Sequence, residues 1–136
     1  MMMKPALTNE DALRILAASK AMAQANGWNV SIAVVDSAGD LLAFERLDGA
    51  IGPSCRIASQ KARTAALWKR DTLYWENRVA EKPTYAQLPE VFAIEGGVPI
   101  VFEGQVVGGV GVSGAKADDD ARMAAAGAAQ VVKGAA

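Results

Sequence analysis

Lys61, Glu95 and Tyr85 are the side chains best suited to move a proton in this chain, and Arg46 is the one best suited to hold a carboxylate. Glu95 precedes Gly96, Gly97 and Pro99. A carboxylate on such a turn beside a strand is a candidate general base, and the exposed N–H groups of the turn, Gly97 among them, can hold an anion. Lys61 and Thr64 are three apart and so share a helix face, with Trp68 four residues further on. A cation, a hydroxyl and an indole could line a small pocket; a solvated Lys and a core Trp are the simpler reading. Arg46 and Asp48 end a strand, where the planar Arg fork matches a carboxylate; a surface Arg–Asp pair explains them equally well. Ser113 could bond a ligand or its own turn.

The composition narrows the chemistry. Histidine is absent and Cys55 is the single cysteine. A His-ligated haem, a His zinc site, a Ser-His-Asp triad and a thiolate zinc cluster are therefore excluded, and no metal site is expected. An intrachain disulfide is impossible, which suits the cytoplasm. The net charge of −1 gives no footprint for nucleic acid. No run of 18 apolar residues marks a membrane span, and no apolar leader follows Lys4. One domain is expected over residues 1–136.

Positioning these groups falls to a few elements. Gly96 to Gly114 reads as two β-branched runs joined at Glu103-Gly104, a β-hairpin. Gly109, Gly111 and Gly114 spell a dinucleotide fingerprint, but too little chain follows to build its second strand and acidic residue. Gly109 and Gly111 fall on one strand face, which invites close approach of a helix or, less simply, a ligand. Thr8 and Asp11 form a capping box for a helix to Asn26-Gly27. Val30 to Val35 is a strand buried on both faces, Asp36 to Asp40 its turn, and Leu41 to Leu47 the returning strand. Ser54 to Arg70 is helical with Ala58, Ala62 and Ala65 on one face, and Asp71 to Lys82 is a second short helix. Tyr85 to Glu95 is a long loop with a helical turn, wrapping over the sheet edge. Asp118, Asp119 and Asp120 open the last helix, where carboxylates favour the dipole; Ala121, Ala124, Ala128 and Val131 form its apolar stripe. The order α-ββ-α(α)-ββ-α implies an α+β domain, an antiparallel sheet with helices packed on it.

Three blocks resemble the GlcG/HbpS family of small bacterial proteins, often labelled haem-degrading. They are Val34-Val35-Asp36-Ser37-Ala38-Gly39-Asp40-Leu41 running on to Arg46-Leu47-Asp48-Gly49-Ala50, then Lys61-Ala62-Arg63-Thr64-Ala65, then the hairpin with Gly111-Val112-Ser113-Gly114. The resemblance spans about Thr8 to Val131 and implies a profilin-like fold. It raises the weight of Arg46, Asp48, Lys61 and Thr64 as site residues. It also implies haem or iron as a ligand, although the Glu-x-x-Glu iron pair of family relatives has no match here.

Two functions follow as expectations. The first is a cytoplasmic enzyme without organic cofactor, a lyase, hydratase or isomerase acting on a small, aromatic carboxylate of a catabolic pathway. Arg46 or Lys61 would bind that anionic ligand and Glu95 or Tyr85 would transfer the proton. Arg46, Lys61, Thr64, Glu95 and Ser113 are then expected around one cavity beside Gly111, with Lys61 and Arg46 at its wet rim. The second is a non-enzymatic haem- or iron-binding protein, with Tyr, Met, Cys or a hydroxyl as axial ligand. Trp68, Tyr74, Trp75, Tyr85 and Phe92 lie among Arg63, Arg70, Arg78 and Lys82, a composition that suits a flat anion or a subunit interface. Self-association is expected, as in family members that assemble into rings or octamers. Because histidine is absent, haemin added to the protein is expected to give no low-spin bis-nitrogen spectrum; observing one would contradict this reading.

Overall fold

The computed structural model describes residues 1–134, so the last two residues of the expected domain and final helix lie outside the described residues. Helix α1 (Asn9–Asn26) starts on the capping box of Thr8 and Asp11 and stops at Gly27, whose φ of 68° is left-handed. Strands β1 (Ser31–Asp36) and β2 (Leu41–Arg46) form a hairpin. Its turn is held by Asp36 Oδ1, which accepts from the N–H groups of Ala38 and Asp40. Helices α2 (Ser54–Trp68) and α3 (Thr72–Glu81) follow, then a 3-10 turn over Pro83–Gln87. Strands β3 (Gly97–Phe102) and β4 (Gln105–Ser113) meet at Glu103-Gly104, where both φ values are positive, 48° and 76°, as a type I′ turn requires. Helix α4 (Ala117–Gly134) closes the chain.

The sheet order is β2-β1-β4-β3, antiparallel throughout. The fold is α+β, with the profilin-like order expected. One face carries α1 and α4 over a core built on Ile15, Ile32, Val34, Val110, Val112 and Met123. The other carries α2, whose Ala58, Ala62 and Ala66 meet Ala33 and Val35. Residues 30–35 are fully buried, because β1 is central and covered on both sides. The segment before β3 does not wrap the sheet edge as expected. Thr64 Oγ1 donates to the Glu90 carbonyl and accepts from the Phe92 N–H, which lays that segment on α2.

The glycine face of the sheet is occupied by a helix. A Cβ on Gly111 would overlap the Ala58 carbonyl oxygen, one on Gly109 the Ala62 carbonyl oxygen, and one on Gly97 the Lys61 carbonyl oxygen. Backbone of α2 therefore rests on backbone of β3 and β4, and the room expected beside Gly111 for a ligand is filled by α2. Gly111→Ala is expected to lower unfolding free energy in urea by about 2 kcal/mol or more, since the helix must move. Gly52→Ala, where a Cβ meets nothing within 4 Å, is expected to change it by less than about 0.5 kcal/mol. Equal effects at the two sites would contradict this packing.

Candidate functional site

The close seat of α2 carries Lys61 into the interior, where only 2% of it is exposed. Its ammonium donates to the Val112 carbonyl at 3.0 Å and to Asp120 Oδ2 at 3.3 Å. The Val112 N–H donates to the Gly96 carbonyl, so the ladder between β4 and the β3 side runs out at this residue. The ammonium supplies the Val112 carbonyl with a donor at this end of the ladder. A side chain at Gly96 would strike the ammonium, and the φ of 134° there also favours glycine. Asp120 Oδ1 accepts from the Ala115 N–H, so one carboxylate joins the β4–α4 turn to α2. Burial pushes the Lys61 ammonium down and the Asp120 carboxyl up; their mutual attraction opposes both shifts. The wet rim expected for Lys61 is a sealed interior.

Glu95 lies near this pair, half-buried. Burial raises its carboxyl above the ordinary range, the charges of Glu76, Asp118 and Asp71 raise it further, and Lys61 opposes them. The Gly-Gly turn is not an open anion cradle: the Gly97 N–H donates to Thr72 Oγ1 at 2.8 Å and the Glu95 N–H to Glu76 Oε1 at 3.1 Å. Ser113, almost fully buried, ends β4 opposite Ser31.

Thr64 and Trp68 serve the 83–92 segment. Thr64 makes the two bonds given above, and Trp68 Nε1 donates to the Pro89 carbonyl at 2.9 Å. Arg63 grips Glu90 with two nitrogens, at 2.9 and 3.2 Å, and holds that residue at a φ of 61°. Tyr85 joins a different cluster. Its hydroxyl lies 3.1 Å from Arg78 Nη2, and its ring lies edge-on to Trp75. Arg70 sits over Tyr74 at 4.2 Å, Arg78 over Tyr85 at 5.0 Å and Lys82 over Tyr85 at 5.6 Å. Trp75 is buried, and its Nε1 has no acceptor. Of the aromatic set expected to drive self-association, Trp75 is covered from within, while Trp68, Tyr74, Tyr85 and Phe92 are half-buried.

Arg46 stands apart from Lys61, on β2 two strands from β4. Two nitrogens of its fork donate to the Ala50 carbonyl, at 2.8 and 3.1 Å. Asp48 and Arg46 line a polar cleft of about 420 Å³ with Lys20, Trp28 and Glu45. The expected constellation therefore divides into three places: the Lys61–Glu95 neighbourhood with Ser113, the loop clamps of Thr64 and Trp68 beside the Tyr85 cluster, and the Arg46–Asp48 cleft. The residue that sequence reasoning missed is Asp120. Its signal was phase, because Asp120, Met123, Ala124, Gly127 and Val131 form the buried stripe of α4, which is rotated from the stripe expected.

The chain belongs to the family described as "Haem degrading protein HbpS-like", whose model matches residues 7–129. It is 44% identical to Protein GlcG of Escherichia coli strain K12 over 111 residues, covering 81% of this chain and 83% of GlcG. A crystal structure of an HbpS double mutant from Streptomyces reticuli superposes with a TM-score of 0.89 at 37% identity, over 96% of this chain and 90% of that one. A crystal structure of a PduOC–haem complex superposes with a TM-score of 0.83 at 25% identity, over 92% and 94%.

Removing one member of the buried pair leaves the other charge without its partner. Lys61→Ala is expected to cost about 3 kcal/mol or more of stability in denaturant unfolding. The double variant Lys61→Met/Asp120→Asn should lose clearly less than the sum of its single changes. Strict additivity would contradict the coupling.

Proposed function

We propose that this protein is a haem-binding protein of its family, and that the iron is held by the Tyr85 hydroxyl on the face shared by α3 and the 3-10 turn. The observation that carries the reading is the Tyr85–Arg78 contact of 3.1 Å inside a set of cations. Tyrosine is a known haem ligand, and the chain has no histidine to compete with it. A guanidinium beside the phenol oxygen offsets the negative charge that a phenolate ligand carries. Arg70, Arg78 and Lys82 would pair with the propionates. The haem complex among the superposed structures supports a haem ligand for this fold. Bound haem would supply an iron open to redox and ligand-exchange chemistry, while the protein would supply the oxygen ligand and the charges around it. We place the protein in the cytoplasm on its single unpaired cysteine; among the described residues no helix is long and apolar enough to cross a membrane.

A second reading keeps the Glu95 neighbourhood as an acid–base site for a small carboxylate, with no organic cofactor. It is favoured by the raised Glu95 carboxyl beside Lys61. Here Glu95 would hold and release the proton, and Arg46 and Tyr85 would have no part because they lie in other clusters.

Haemin titration separates the two readings. The wild type is expected to develop the charge-transfer bands and resonance Raman modes of a ferric phenolate. Tyr85→Phe should abolish them, Arg78→Ala should weaken binding, and Glu95→Gln should leave both unchanged. A wild-type spectrum retained in Tyr85→Phe would contradict Tyr85 as the ligand.

A further inference from the structure

Arg46 and Asp48 line one cleft and do not meet. Neither forms an ion pair among the described residues. Arg46 Nε and Nη2 both donate to the carbonyl of Ala50, a residue only 4% exposed. Those two bonds fix the plane of the guanidinium and use its side edge. The end edge, Nη1 with the second Nη2 hydrogen, makes no bond among the described residues. It keeps the bidentate geometry that a carboxylate fits. Asp48 is exposed, and its carboxylate accepts no hydrogen bond among the described residues.

The other two charges of the cleft cancel. Lys20 Nζ lies 2.6 Å from Glu45 Oε2 and ties α1 to β2. The cleft, of about 420 Å³, therefore offers one open cation and one open anion, and the four charged residues that line it sum to zero. Its apolar wall is the half-buried indole of Trp28, whose backbone N–H donates to the Ala23 carbonyl at 2.9 Å. Arg122 sits over that ring at 5.8 Å.

We propose that this cleft binds a free α-amino acid with an apolar side chain. The end edge of Arg46 takes the carboxylate, Asp48 takes the ammonium, and the Trp28 indole packs against the side chain. A simple anion that reached Arg46 would be repelled by Asp48, and a simple cation that reached Asp48 would be repelled by Arg46. A ligand that carries both charges on one carbon satisfies both residues, which stand two apart at the end of one strand. The inference goes beyond the haem reading and is independent of it, because Tyr85 and its cations form another cluster.

NMR of the nitrogen-labelled full chain, titrated with L-phenylalanine and without haemin, tests it. The amides of residues 45–48 and of Trp28 are expected to shift, with a Kd of about 1 mM or tighter. N-acetyl-L-phenylalanine lacks the ammonium and L-phenylalaninamide lacks the carboxylate; each should bind about tenfold more weakly or worse. Asp48→Asn should weaken phenylalanine by about the same factor, yet bind N-acetylphenylalanine no more weakly than the wild type does. Arg46→Gln should weaken phenylalanine and bind the amide no more weakly. Far-UV circular dichroism identifies a variant that fails to fold. Arg46→Gln loses the Ala50 bonds, whereas the Asp48 side chain makes none, so Asp48→Asn decides the matter if Arg46→Gln does not fold. Three ligands that bind alike, an Asp48→Asn variant that binds phenylalanine as the wild type does, or no shift at these amides at about 10 mM phenylalanine would each overturn the proposal.

Discussion

Backbone-to-backbone contact between α2 and the β3–β4 hairpin is the constraint on which the rest of the structure depends. Three positions that face α2, Gly97, Gly109 and Gly111, lack the atoms that would hold the helix away. The helix answers with Ala58, Ala62 and Ala66, so neither surface has side chains to interdigitate. Close approach of two polar backbones leaves little apolar area to bury on this side of the sheet. The larger apolar core lies on the other side, under α1 and α4. What α2 gains instead is position: its one long buried side chain, Lys61, is delivered to the open end of the β4 ladder.

That delivery explains an otherwise costly arrangement. A buried ammonium and carboxylate are each penalised by lost hydration, and their attraction returns only part of it. Here both groups also satisfy backbone that the fold leaves unpaired, the Val112 carbonyl and the Ala115 N–H. The pair thus fastens α2, β4 and α4 to one another at a single point. The pH consequences follow in sign. With its pKa lowered, Lys61 imposes a cost that is present at neutral pH and relieved as pH rises toward the ordinary 10.5. With its pKa raised, Asp120 favours the fold fully below the ordinary 3.8 and loses that contribution as pH rises through its folded value.

Much of this architecture is legible in the residues. The Thr8–Asp11 box, the Glu103-Gly104 turn and the alternation of Val30 to Val35 are local signals, and the elements follow them closely. The family blocks are legible for the same reason, since they are turns and packed helix faces with strict requirements. The site is less so. A lysine three residues before a threonine looks the same in solvent and in a core, and only the folded chain shows that the Lys61 ammonium meets Asp120 in the first turn of α4. The third of three aspartates reads as a dipole cap until its phase with the buried stripe is noticed. Thr64 and Trp68 look like pocket residues because their true partners, Glu90, Phe92 and Pro89, are remote in sequence. Asp48 and Arg46 keep their surface position, but the Arg46 fork goes to the Ala50 carbonyl rather than to Asp48.

The most direct measurement is the protonation of Lys61 itself, followed by heteronuclear NMR of its Nζ in the folded protein. An ammonium bonded to Val112 and Asp120 beneath α2 is predicted to show protons protected from exchange with water and a titration midpoint below 10.5, the ordinary value. A midpoint at or above 10.5 with rapidly exchanging protons would place Lys61 in solvent and contradict the seating of α2 on the glycine face.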